Sequence, residues 1–214
     1  VGINDYICDL IAMFFGVISD SDKIGLQKLL REEGGVELPL RVVDALAEEL
    51  EPRVYRRGES IVATGEVDCK FRVVFEGVAR TVYKLDGKDV TDGFGLPGTV
   101  IISFQSWFSG QPAYTRVEGC CLRNVVLEMG KERFEYLMGE YEELAKWYRG
   151  YLEHQLSGYE MRNAKINGSI EDRLRTFMIH RPEIMQTVPL QMIASYLQIT
   201  PQYLSRLRKR LLRD

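Results

Sequence analysis

The sequence predicts an α+β fold: N-terminal helices, a strand-rich middle, a long helix and a terminal helix-turn-helix. Three observations carry this. Apolar residues recur at helical spacing near both ends; between residues 52 and about 129, short β-rich runs are punctuated by glycine; and the last 26 residues read as two short helices joined by a tight turn. With 214 residues, 45% hydrophobic and 28% charged, the chain has room for two modest globular domains.

Residues 6–18 are the most apolar segment. Ile7, Leu10, Ile11, Phe14 and Ile18 have helical spacing, Asp9 interrupts them and no basic leader precedes them, so a packing helix is expected rather than a signal peptide. No stretch approaches the roughly 20 apolar residues of a membrane span, so no membrane partner and a cytoplasmic location are expected. Gly34-Gly35 and Pro39 break the helical pattern, after which Leu40, Val43, Leu46, Ala47 and Leu50 form one apolar face. Strand runs follow at 53–56, 60–63, 71–75, 78–83, 89–91 and 122–127, separated by Gly58, Gly65, Gly77, Gly87, Gly98, Gly110 and Gly119 at the spacing of a sandwich or barrel. Asp86-Gly87 reads as a hairpin turn.

After Gly130 the pattern returns to helix, short over 131–138 and long over about 140–165. Along the long helix Tyr141, Leu144, Tyr148, Tyr151, Gln155 and Tyr159 form a stripe, which suits a seam with a partner helix. Packing onto the chain's own β region is the other reading, and the two are compatible. Ser169, with Asp172 three residues on, caps a further helix that ends at His180-Arg181-Pro182.

The terminal segment is the most informative. Leu190, Ile193, Ala194 and Leu197 give one helix an apolar face; Thr200 caps a second and Pro201 suits its first position; Leu204, Leu207 and Leu211 form its buried side. Ile199 plugs the turn between the two. Gln202, Tyr203, Ser205, Arg206, Arg208 and Lys209 remain, with donors suited to base edges and phosphates. Residues 189–214 hold five basic residues and one acid, a net of +4, whereas the whole chain is −3, so the other 188 residues carry −7. Such local basic charge fits double-stranded DNA.

Other chemistries lack their residues. Cys8, Cys69, Cys120 and Cys121 have no paired spacing and no nearby histidine, so neither a metal site nor a disulfide framework is expected. His154 and His180 lie in helical stretches far from any candidate nucleophile. With no phosphate loop, GxSxG elbow or HExxH, no enzymatic activity is expected.

Over residues 38–214 the chain resembles the Crp/Fnr family of bacterial transcription regulators. The residues that carry the resemblance are, in order, Arg57-Gly58-Glu59, Thr64-Gly65-Glu66, Glu76-Gly77-Val78, Asp86-Gly87-Lys88 and Ile199-Thr200-Pro201-Gln202-Tyr203-Leu204-Ser205-Arg206. The resemblance implies a cyclic-nucleotide-binding-like β-roll sensor over 38–139, preceded by a helical extension over 1–37 whose role is left open. It implies a dimerisation helix over 140–166 and a winged helix-turn-helix-type domain over 167–214. A homodimer on double-stranded DNA is implied, with RNA polymerase a candidate partner. Arg206 would pair with guanine and Gln202 with adenine, while Thr200, Ser205, Arg208 and Lys209 would touch phosphates. Two departures matter: Pro201 stands where many relatives have a base-contacting Arg, and Gln198 where Gly is usual, which strains the turn if φ is positive there.

Relatives that bind a cyclic nucleotide have a Gly-Glu-Leu and, about ten residues later, an Arg-Ser or Arg-Thr. Here Ile102-Ser103-Phe104 and Ala113-Tyr114 occupy those places, and Arg116, an odd offset further on, would point to the other strand face. Without a cation for the phosphate, no binding of cAMP or cGMP is expected. The aromatic residues Phe104, Trp107, Phe108 and Tyr114 either fill the pocket as core or line a site for an apolar or aromatic effector closed by Tyr159; Phe104, Trp107, Tyr114 and Tyr159 are the candidates. An iron–sulfur cluster would need more N-terminal cysteines and a haem would need a histidine before residue 150, so no cofactor is expected. A second reading is an interaction module that binds a small apolar effector or a protein through the β roll and has lost DNA binding.

Overall fold

The computed structural model describes residues 18–165 and 168–211. The apolar helix expected over 6–18 lies outside the described residues except for Ile18, as does the boundary expected at 166/167. In chain order the elements are α1 (Asp20–Gly34), α2 (Leu40–Glu49), β1 (Glu51–Tyr55), β2 (Ser60–Val62), β3 (Lys70–Glu76), β4 (Ala79–Leu85), β5 (Lys88–Gly95), α3 (Phe104–Ser109), β6 (Arg116–Gly119), β7 (Asn124–Gly130), α4 (Lys131–Glu140), α5 (Glu142–Lys165), α6 (Ile170–His180), α7 (Pro182–Thr187), α8 (Leu190–Leu197) and α9 (Pro201–Leu211).

The strands pair antiparallel in two sheets, β1-β7-β3 and β2-β6-β4-β5. Ile61, Val62, Val74, Ala79, Ile101, Ala113, Val117 and Val126 fill the space between them. β7 is buried on both faces, Val126 toward that core and Leu127 and Met129 toward the helices. β4 and β5 turn at Asp86-Gly87, with φ of 50° and 76°, the paired positive values a two-residue hairpin requires. Thr81 pairs with Gly93 and Val82 with Thr91, so Asp92 is an extra, bulged residue in β5.

A second core joins α1, α2, α4 and α5 to β3 and β7 through Leu26, Val42, Leu46, Phe71, Phe134, Leu144, Trp147 and Tyr151. Phe71 stacks on Phe134 with ring centroids 3.9 Å apart. α1, in the extension whose role the sequence left open, packs along α5: Trp147 Nε1 donates to the Leu30 carbonyl at 2.7 Å. Glycine permits this approach, because a Cβ on Gly34 would lie 2.2 Å from Trp147 Nε1 and one on Gly150 would lie 2.7 Å from the Gly34 carbonyl oxygen.

The placement of Leu40 is corrected, own-chain packing is found for half of the α5 stripe, and two elements are new. Leu40, at the first position of α2, is 58% exposed and Val42 is buried in its place. Leu144, Tyr148 and Tyr151 of the α5 stripe are buried against their own chain, so this half of the stripe is not a seam between chains. β6 and α3 were not anticipated: β6 carries charge on its outer face, and α3 is a helix of six residues.

A third core gathers Leu174, Phe177, Ile184, Ile193, Ala194, Leu197, Leu204 and Leu207 of α6–α9 with Val78 and Cys120 of the strand-rich region. Among the described residues, 168–211 contain four helices and no strand, so the strands of the expected wing are not found there.

Candidate nucleic-acid interface and sensor pocket

α8 ends at Gln198, whose φ of 57° and ψ of 43° are left-handed without glycine. The chain turns there because the Gln198 and Ile199 N–H groups donate to the carbonyls of Ser195 at 3.1 Å and Ala194 at 3.0 Å. Thr200 Oγ1 then accepts from the Tyr203 N–H at 3.2 Å, capping α9, which opens on Pro201. Leu204 and Leu207 turn inward. Thr200, Gln202, Tyr203, Arg206 and Lys209 are exposed together, with Ser205 and Arg208 half-buried beside them. The Arg206 guanidinium lies 6.0 Å from the Tyr203 ring centroid. Arg210 is paired with Glu171 of α6, which leaves the other basic groups of α9 to set a positive face.

A cavity of about 270 Å³ opens between the β2-β6-β4-β5 sheet and α5, lined by Thr81, Gly95, Ile101, Phe104, Tyr114, Thr115, Val117, Tyr151, Gln155 and Tyr159 among others. Phe104 stacks on Tyr151 at 6.3 Å and meets Tyr159 edge-on at 6.5 Å. Phe104, Tyr114 and Tyr159 are thus brought together as expected. Trp107 is not. Phe104 and Phe108, four residues apart, share one side of α3, whereas Trp107 turns into the core against Phe134 at 6.3 Å, with the Lys131 ammonium 4.9 Å from its ring centroid.

Two charged residues, Arg80 and Asp92, are among those lining the cavity, and the Arg80 guanidinium is already bonded within the chain. Ala79 and Val117 face the space between the sheets, so their strand neighbours Arg80 and Glu118 face the opposite way. Arg80 Nε and Nη2 donate to Glu118 Oε1 at 2.8 and 2.5 Å, and Nη1 donates to Thr91 Oγ1 at 2.9 Å. Arg116 lies on that outer face too, bonded to Asp89 and to Glu118, and is not among the lining residues. The hydrogen bonds from Arg116 and Lys84 hold the Asp89 carboxyl well below the usual carboxylate range. At the start of α3 the Ser103 N–H donates to Asp68 Oδ2 at 2.7 Å, while Asp68 Oδ1 accepts from Arg72 at 2.6 Å. A buried carboxylate of the chain itself therefore takes up the Ser103 N–H.

The sequence offered no sign of the contacts that join the two regions. Phe94 of β5 packs against Phe177 and Tyr196, and Ser195 of α8 bonds to the β5 backbone. A serine acquires such a partner only in the tertiary structure.

No family model matches the sequence, and no curated protein matches it. Solved structures do. FixK2 from Bradyrhizobium japonicum superposes with a TM-score of 0.62 at 20% identity, covering 76% of this chain and 84% of that one. CLP of Xanthomonas campestris, a global regulator responsive to c-di-GMP, gives 0.64 at 13% identity over 82% and 93% of the two chains. A chain from Eubacterium rectale assigned to the crp/fnr family gives 0.61 at 16% identity over 82% and 84%. The fold is that of Crp/Fnr regulators. Each of these matches spans three quarters of the chain or more.

Proposed function

We propose that the protein is a homodimeric, sequence-specific DNA-binding transcription regulator, with residues 38–139 as sensor, 140–166 as dimerisation helix and 167–214 as DNA-binding region. One observation carries the reading: on α9 the groups that can read DNA, Gln202, Tyr203, Arg206 and Lys209, are exposed on one side while Leu204 and Leu207 anchor the other. In this reading Arg206 pairs with guanine and Gln202 with adenine, and Thr200, Ser205, Arg208 and Lys209 hold phosphates. The shared Crp/Fnr fold supports it.

For the dimer, α5 beyond Tyr151 keeps one side on its own chain, through Gln155 and Tyr159 at the cavity, and exposes Leu156 on another. Leu152, Leu156 and Tyr159 recur at heptad spacing there, with Leu156 65% exposed, and suit a second copy of the same helix. In this reading the pocket takes neither cAMP nor cGMP, because Arg80, which lines it, is paired with Glu118, Arg116 is paired on the outer face with Glu118 and Asp89, and the Ser103 N–H is taken by Asp68. RNA polymerase is the partner that a promoter-bound regulator would touch.

The test is affinity for duplex DNA across a range of salt. Wild-type affinity falls steeply as salt rises, through counterion release. Arg206→Ala costs about 1 to 3 kcal/mol on a preferred site and relaxes choice at one base position; Lys209→Ala weakens all sequences alike and lowers the salt slope by about 1. Binding that ignores salt, or an Arg206→Ala variant with unchanged affinity, contradicts the reading.

A further inference from the structure

We infer that Ser195 and Phe94 are positioning residues that fasten the reading helix to the sensor sheet and so set the spacing at which two half-sites are read. The inference rests on the DNA-binding reading above and adds to it two residues outside the reading helix.

β5 is the outermost strand of its sheet, so one row of its backbone groups has no strand partner. Ser195 takes up two of them with one hydroxyl: Oγ accepts from the Thr91 N–H at 3.0 Å and donates to the Asp89 carbonyl at 3.0 Å. It acts as a one-residue extension of the sheet edge. Three residues beyond Thr91, across the Asp92 bulge, the Phe94 ring lies 6.1 Å from Phe177 of α6 and 5.4 Å from Tyr196 of α8, which are themselves 5.3 Å apart. A directional polar contact and an aromatic cluster thus hold α8 at two points along one strand.

The contacts lie on α8, whereas in this reading DNA is read from α9. Gln202, Tyr203, Arg206 and Lys209 stay exposed while α8 is held, so the attachment leaves the reading surface open and removes its freedom to turn against the body. In a two-fold dimer the attachment on each side then fixes both the distance and the rotational phase between the reading helices. Loosening it lets the two helices follow half-sites at other separations.

The experiment uses the full chain and its selected palindromic site, with one base pair added or removed at the centre. One base pair shifts a half-site by about 3.4 Å and turns it by about 35°. Wild type is expected to lose roughly tenfold or more in affinity for either change, the scale set by two hydrogen bonds. Ser195→Ala with Phe94→Leu binds the parent site within about threefold of wild type but loses only about two- to threefold on the altered sites. Ser195→Thr alone, which keeps the hydroxyl and leaves Phe94 in place, retains the wild-type penalty. An unchanged spacing penalty in the double variant overturns the inference, because a purely structural role would lower binding to all sites alike. Hydrogen exchange without DNA provides a second test: the Thr91 amide exchanges about tenfold faster in Ser195→Ala, and equal exchange also overturns it. Should wild type bind no DNA, the functional reading fails, while the exchange result still decides whether Ser195 holds the two regions together.

Discussion

Gln198 shows how a single residue can be placed correctly from the sequence and still carry strain. It stands at the turn between α8 and α9 with φ at 57°, where a side chain costs roughly 1 kcal/mol or more relative to glycine. Gln198→Gly is therefore expected to raise unfolding stability by about 0.5 to 1 kcal/mol with DNA affinity retained, as denaturant titration would show. A loss of stability would mean that the Gln198 side chain makes a compensating contact. The residues of α9 were legible because capping, apolar spacing and local charge all point to the same helix. Trp107 was not, since composition groups it with Phe104 and Tyr114 and only the rotation of α3 turns it into the core. Ser195 was illegible for a related reason: its partners, Asp89 and Thr91, lie more than a hundred residues away in sequence.

At the scale of elements, α5 serves two purposes in sequence. Its first half is buried against α1, α4 and β3; in its second half Leu152 packs partly on the same core, Tyr159 borders the cavity, and Leu156 is exposed. Of the stripe read from the sequence, Leu144, Tyr148 and Tyr151 are covered by their own chain, and helical spacing alone cannot tell which surface covers a stripe. Leu156→Glu is expected to shift the protein from dimer to monomer in sedimentation while leaving the protomer folded, because it places two like charges across the seam. A variant that stays dimeric would move the interface off this helix. Most strands were legible from glycine punctuation, and six of the seven glycines, all but Gly119, have positive φ. β6 escaped because its outward residues, Arg116 and Glu118, pair with Asp89 and Arg80 and leave no apolar alternation to read. The resemblance also implied a wing, whereas the described residues 168–211 are helical, with α6 and α8 meeting β5 at Phe94.

The molecule as a whole has buried protons that it holds tightly. Burial pushes the Cys120 thiol up to about 12 and the Tyr148 phenol up to about 12; Tyr55, buried and bonded to Glu128, moves the same way. The folded state keeps these protons where the unfolded chain would release them, so this stability is complete below pH about 9 and is lost as pH rises toward about 12. Asp89 has the opposite sign: its contribution is present above pH about 4 and is lost as pH falls further. Melting temperature measured against pH should therefore be level through neutrality and fall above about 9, less steeply in Tyr148→Phe; a level profile to pH 11 would contradict the buried environments of these groups. β5 joins the two regions, since its residues line the cavity and its backbone bonds Ser195 of α8.

The most direct test of the account is selection of bound sequences from a random DNA library by the purified full-length protein, near physiological salt and without added ligand. The account predicts enrichment of a palindromic motif with half-sites about one helical turn, roughly 34 Å, apart. Failure to enrich any sequence, with or without cell extract present, would contradict it and leave the β roll as a module that binds something other than DNA.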